Sequence, residues 1–169
     1  MRVLAIDPSG NFNEGKGTTG WCMITDLKEI IYTGQIKAEN YDTVYDYTLA
    51  HIRIIEELKP DIVVLEDFKL YADKAMNQIN SRFETPKLIG VLEFICSKHM
   101  IPTYLQSASE VKNRWKDDIL VYNNYITKLN NRYYINSKLI SEHIRDSIRH
   151  GVHFVTFKLN KLGVNKWKN

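Results

Sequence analysis

The chain predicts an α/β protein built on a five-stranded mixed sheet, in the order 3-2-1-4-5, flanked by helices. Two observations carry the prediction. First, Val3-Leu4-Ala5-Ile6 and Ile62-Val63-Val64-Leu65 are unbroken apolar runs, the pattern of strands buried on both faces of a parallel sheet. Each run ends in a carboxylate, Asp7 and Glu66. Second, strand-like segments come first and helix-linked strands follow, in the order βββαβαβα, so hairpin pairing gives way to parallel pairing.

The first strand spans residues 2–7. The second, about 19–25, centres on Gly20-Trp21-Cys22-Met23-Ile24. The third covers about 29–36, with Gly34 as a candidate bulge and Asp26-Leu27-Lys28 as a short hairpin link. Val44, Tyr47, Leu49, Ile52, Ile55 and Leu58 recur with helical spacing, so residues 41–58 are expected to form a helix. Pro60-Asp61 ends it and opens the fourth strand. Residues 68–81 are polar and irregular and read as a loop or weak helix. A second long helix covers about 84–100, with Pro86 in its first turn. The fifth strand is 103–106. Ser107 or Ser109 caps a short helix through Val111 and Trp115. Residues 117–135, rich in Asn and Tyr, match no single element. Asn136 or Ser137 is the expected cap of a last helix reaching about residue 157.

The 169 residues are 44% hydrophobic and 25% charged, as in a soluble globular domain. The division read from the sequence is a catalytic domain over 1–157 and a basic tail over 158–169. No apolar stretch is long enough to span a membrane, no leader is expected, and a cytoplasmic location follows. Cys22 and Cys96 are isolated and fit reduced core cysteines. The net charge is +3. From Ser147 onward there is no acid, while Arg149, Lys158, Lys161, Lys166 and Lys168 add five positive charges. A basic end beside an acidic pocket suits a polyanion held near cations.

Residues 10–18 nearly spell a phosphate-binding P-loop, but Gly17 stands where Ser or Thr is needed. The segment also runs into a strand, whereas a P-loop opens a helix. Asp7 and Glu66 carry more weight. If strands one and four are neighbours, both acids meet at the C-terminal switch point where open α/β sheets bind ligands. Glu66-Asp67 poses a register question, since adjacent strand residues face opposite ways. His143 and Asp146, three apart on a helix, share one face. Glu142 and Arg145 are read as solvent-facing, and His150 and His153 as lying beyond the first ring of ligands. Asp7, Glu66, His143 and Asp146 suggest oxygen and nitrogen ligands gathered around hard divalent cations.

Ala5-Ile6-Asp7-Pro8-Ser9-Gly10, Thr19-Gly20-Trp21, Pro60-Asp61-Ile62-Val63-Val64-Leu65-Glu66 and His143-Ile144-Arg145-Asp146-Ser147 together resemble the RuvC family of Holliday-junction resolvases, of the ribonuclease H-like superfamily. The resemblance covers about residues 1–157, with the blocks in the family's order. The His at 143, Ser9 in the first turn, and long 10–18 and 117–135 stretches mark a divergent, phage-type member. It implies Asp7, Glu66, His143 and Asp146 as catalytic metal-site residues, a homodimer, and branched DNA such as a four-way junction as substrate. The chemistry it implies is phosphodiester hydrolysis with two magnesium ions, for which manganese could substitute. His143 would be a metal ligand or a general base. The family places an aromatic shortly after its Glu, a role open to Phe68 or Tyr71, with stacking on an unpaired base; core packing is the alternative for Phe68. Lys69, Lys112 and Arg114 complete the expected DNA surface, and Lys116 suits a solvated face equally well. The competing readings are a ribonuclease H-like enzyme on hybrids or flaps, a non-catalytic DNA-binding module, and an actin-like nucleotide-binding protein, for whose second domain there is little room.

Overall fold

The computed structural model describes residues 1–69 and 84–162. β1 (Arg2–Asp7) pairs antiparallel with β2 (Thr18–Thr25) and parallel with β4 (Ile62–Asp67). β3 (Ile30–Lys37) and β5 (Thr103–Ser107) form the edges, so the order is β3-β2-β1-β4-β5, as expected.

Strand parity explains why β1 and β4 are apolar throughout. Leu4, Ile6, Val63 and Leu65 face one core, against Ile55 of α1 (Val44–Leu58) and Leu88, Leu92 and Cys96 of α2 (Glu84–Lys98). Val3, Ala5, Ile62 and Val64 face the other. There they meet Val111 of α3 (Ala108–Arg114), Leu120 of α4 (Asp117–Tyr122), and Ile144, Ile148 and Val152 of α5 (Glu142–His153). A strand covered on both sides has no face left for polar residues. Burial of each member of the Ile144, Ile148, Val152 stripe stabilises the docked helix by roughly 1.5–3 kcal/mol. This stripe is what holds α5 across the sheet.

Several elements differ from their sequence reading. α1 begins at Val44, because Thr43 caps it by accepting from the Asp46 amide at 3.1 Å; residues 38–40 form a separate 3-10 turn. Gly34 is no bulge. It sits in regular register opposite Trp21, where a Cβ would stand 2.5 Å from the indole, and the register shift falls at Met23/Ile24 instead. The stretch 117–135 holds α4 and the first two strands of a second sheet, β6 (Thr127–Leu129), β7 (Arg132–Ile135) and β8 (Lys138–Leu139). Its asparagines serve the turns: Asn130-Asn131 and Asn136-Ser137 all have positive φ, the conformation of two-residue hairpin turns of the primed type. Asn136 and Ser137 are therefore not the helix cap. Ser141 is, accepting from the Ile144 amide.

α5 continues through a π-helical segment, Phe154–Lys158, and a 3-10 turn, Leu159–Leu162. Leu159 is buried in the same core as α5, so the packed chain runs past residue 157. Cys22 and Cys96 are buried and free, and burial pushes the Cys22 thiol pKa up to about 12. Among the described residues no helix is long and apolar enough to cross a membrane.

Candidate active site

Asp7 shares its parity with Val3 and Ala5, and Glu66 with Ile62 and Val64, so both acids point to the face that α5 covers. The register question is settled for Glu66: Asp67 alternates to the other side. β1 and β4 pair Ile6 with Leu65, which leaves Asp7 and Glu66 side by side at the strand ends. α5 approaches β2 so closely that a Cβ on Gly20 would lie 2.1 Å from the carbonyl of His143. Glycine at this position lets the helix N-terminus lie on the sheet. His143 Nδ1 then stands 2.9 Å from Asp7 Oδ2. Asp146, one turn on and 4% exposed, is beside it on the same face.

A second ring of side chains holds these acids. His150 Nε2–H donates to Glu66 Oε2 at 2.9 Å, and the other ring nitrogen faces the Gln106 amide at 3.0 Å. The ring is fully buried. With Nε2 donating to Glu66, turning the Gln106 amide would bring its N–H to a lone pair at Nδ1. The Gln106 nitrogen is otherwise without a partner among the described residues, which favours that amide orientation. Lys112 Nζ lies 2.8 Å from Asp146 Oδ2 and 3.5 Å from Glu66 Oε2. Arg149 ties Asp146 to Asp117 and donates to the Trp115 carbonyl at 2.8 Å. Arg145 is not solvent-facing: its Nε bonds Asp117 at 3.0 Å and its guanidinium lies over Tyr133 at 4.4 Å.

The turn after Asp7 has its own support. His51, buried on α1, donates from Nδ1 to the Tyr47 carbonyl at 2.7 Å and accepts at Nε2 from Thr19 Oγ1 at 2.8 Å. Thr19 Oγ1 in turn accepts from the Ser9 amide at 2.9 Å. Burial holds the His51 pKa down at about 4, so the ring is neutral with the proton on Nδ1.

Burial raises the Asp7 pKa above its ordinary value; the Glu66 and Asp146 charges add to the rise, and the His143 hydrogen bond opposes it. Burial acts the same way on Glu66, but the His150 bond and the Lys112 charge outweigh it and hold this carboxyl below the usual range. His143 is raised, first by its bond to Asp7. Lys112 is also raised, since Asp146 and Glu66 overcome its desolvation.

The donor types fit a hard divalent cation, which prefers carboxylate oxygens and tolerates an imidazole. Asp7 in particular is a buried acid in want of positive charge. Among the described residues, however, no three of these side chains stand close enough to enclose an ion as placed. The positive charge between Glu66 and Asp146 is that of Lys112.

Thus Asp7, Glu66, His143 and Asp146 converge, and Lys112 joins them rather than facing outward. Phe68 is half-buried against the core of Leu65 and Leu88, Lys69 is exposed beside it, and Tyr71 lies outside the described residues. Arg114 and Lys116 are exposed. Sequence reasoning set His150 beyond the first ring of ligands, which is where it stands, without giving it a partner; it left out Gln106 and His51 and counted Arg149 only as a charge of the basic end. The role of His150 was accessible: residues 143, 146 and 150 follow one helical face. Gln106 emerges only from the register that pairs it with Glu66.

A five-stranded sheet of this order, with acids closing two adjacent strands under a C-terminal helix, places the chain in the ribonuclease H-like fold class. Among solved structures, it matches Thermus thermophilus RuvC in complex with a Holliday junction substrate at a TM-score of 0.68 and 13% identity, over 96% of each chain. A second T. thermophilus RuvC structure matches at 0.65 and 11%, over 96% of this chain and 97% of that one. The fowlpox virus Holliday junction resolvase matches at 0.51 and 14%, over 92% of this chain and 99% of that one. At such identities the likeness is one of fold. No family model and no curated protein matches the sequence.

Proposed function

We propose that the protein is a divalent-metal-dependent endonuclease that cleaves four-way DNA junctions. The observation that carries this is the convergence of Asp7 and Glu66, from adjacent strand ends, with His143 and Asp146 from one face of α5. This convergence occurs in a fold shared with a protein solved on a Holliday junction substrate. Asp7, Glu66 and Asp146, with His143, are the residues that would hold magnesium or manganese, which when bound polarises a phosphodiester and lowers the pKa of an attacking water.

The chain's own groups supply the rest. His150 fixes the rotamer of Glu66, and Arg149 that of Asp146. If His143 does not ligate the ion, its neutral form, with Nδ1 donating to Asp7, has a lone pair at Nε2 that can take a proton. Hydrolysis forms one P–O bond to water and breaks one to the sugar oxygen, so one proton leaves the water and one is taken up from solvent by the departing sugar oxygen. Lys112 reaches the acids from α3 and can turn to a phosphate oxygen once the acids are neutralised otherwise. A junction is two-fold symmetric and calls for a homodimer. The exposed Phe94 on α2 suits such a contact. A phage origin and a host-cytoplasmic site of action belong to the same reading.

The test is incubation of the protein with synthetic four-way junctions, flaps, RNA–DNA hybrids and plain duplex, with and without magnesium. Cleavage of the junction alone, dependent on the ion, is expected. Preference for the hybrid or flap would make the enzyme a ribonuclease H-like nuclease of another specificity. Binding without cleavage under any divalent ion would make it a DNA-binding module.

A further inference from the structure

One turn beyond His150 along α5, a second polar cluster opens on the surface. Glu110 and Arg114 of α3, His153 of α5, and Phe157, Lys158 and Lys161 line a hollow of about 500 Å³. His153 is 2% exposed, and among the described residues neither ring nitrogen makes a hydrogen bond. Its Nε2 lies 3.3 Å from Glu110 Oε1, yet out of bonding alignment. The same oxygen is 3.2 Å from Lys158 Nζ. Arg114 lies over the Phe157 ring at 4.5 Å, which fixes the guanidinium plane. One half-exposed carboxylate thus faces Lys158 and His153, and Arg114 and Lys161 line the same hollow.

A buried imidazole with no hydrogen bond is costly and calls for a partner. Burial lowers the His153 pKa, so the ring is neutral and has one N–H to give. A tetrahedral oxyanion suits this set better than a carboxylate. It has enough oxygens for Lys158, the planar fork of Arg114 and the imidazole together. The place is also apt. α3 carries Lys112 into the carboxylate site and Arg114 into the hollow, and three helical residues separate His150 from His153, a rise of about 4.5 Å.

We propose that this hollow binds a backbone phosphate of the DNA strand, which displaces the Glu110 carboxylate from Lys158 and His153. The inference rests on the nuclease reading and adds a grip on the same strand beside the cleavage site.

The test is junction binding by the full-length protein without divalent ions, across a range of salt. For the loss of one phosphate contact, Lys158→Ala and Arg114→Ala should each weaken binding on the order of tenfold near 0.1 M salt and flatten the log–log salt slope by about 0.9. Glu110→Gln should tighten binding severalfold, because it removes the competing charge. His153 ring resonances should move when junction DNA is added. If wild type binds DNA and Lys158→Ala retains its affinity and slope, the hollow is not a phosphate site, whatever the fate of the nuclease reading. Saturable movement of the His153 resonances by inorganic phosphate but not by DNA would assign the hollow to a small phosphate ligand and overturn the proposal. Failure of wild type to bind any DNA would remove both readings at once.

Discussion

Lys112 Nζ stands 2.8 Å from Asp146 Oδ2 and 3.5 Å from Glu66 Oε2, so one ammonium joins acids from two different elements. In the metal-free protein this lysine performs the charge neutralisation expected of a cation. Lys112→Met should therefore destabilise the metal-free protein, by roughly 1 kcal/mol once solvent screening of this half-exposed group is allowed for. Magnesium or manganese should raise the melting temperature more in the variant than in wild type. Calorimetric scans with a chelator and with each ion measure both effects. An equal metal response in the two proteins would mean that Lys112 does not compete for the site.

Asp7→Asn should abolish cleavage and leave junction binding nearly intact, because the basic surface is untouched. It should also raise the melting temperature of the metal-free protein, since the Asp7 charge is opposed by burial and by Glu66 and Asp146. Retention of more than about a tenth of wild-type turnover would remove Asp7 from the chemistry.

His150→Ala should lower kcat or metal affinity by roughly 10–100-fold, the usual cost of losing a partner that orients a ligand. It should also destabilise the protein by about 2–4 kcal/mol through the cavity and the unpaired Gln106. His150→Gln, which can still donate to Glu66, should recover activity more than stability. If the two variants are equally impaired in kcat at a temperature where both are folded, the hydrogen bond to Glu66 is not what matters.

His143 gives opposite signs for activity and stability. Its pKa is raised, chiefly by the bond to Asp7. The ion pair therefore contributes to the metal-free protein below about pH 6.5 and is lost as pH rises through the raised folded value. Catalysis needs the neutral ring, so activity should fall as pH drops through the imidazole range. His143→Asp should move that limb to lower pH and favour magnesium over manganese. pH–rate profiles of wild type, His143→Asp and His143→Ala with each metal decide the matter. An alanine profile identical to wild type would leave a three-carboxylate site.

His51 titrates in the other sense. Its folded pKa of about 4 lies below the unfolded value of 6.5, so the unfolded chain binds the extra proton between them. Its contribution is complete above about pH 6.5 and is lost as pH falls toward 4. The amplitude is on the order of 3 kcal/mol at most. Chemical denaturation from pH 4 to 7 should show this decline, and His51→Asn should flatten it. A variant curve parallel to wild type would place the acid sensitivity elsewhere.

Much of this was legible in the residues themselves. A four-residue apolar run without alternation, of mostly strand-forming residues, reads as a strand covered on both faces, so β1 and β4 and their terminal acids followed from Val3–Ile6 and Ile62–Leu65. The His143–Asp146 spacing put both on one helical face. What was not legible depended on contacts distant in sequence. Asn130-Asn131 fell in an unassigned stretch and Asn136-Ser137 read as a helix cap, because primed turns are recognised only when the strands on either side are known to pair. Arg145 looked solvent-facing until Asp117 and Tyr133 packed beside it.

The sequence by itself determined the two buried strands with their terminal acids, Asp7 and Glu66, and the helical face shared by His143 and Asp146, because periodicity is a local property of the chain; the sheet order followed from the hairpin and helix connections, and the β1–β4 pairing set Glu66 rather than Asp67 beside Asp7. Only the tertiary structure decided which groups answer those charges: His143 to Asp7, His150 to Glu66, Lys112 to Asp146. The reason is physical. A buried acid requires a partner, but which partner arrives depends on the register of β4 with β5 and on how far α3 and α5 lean over the sheet, and no residue type encodes those distances.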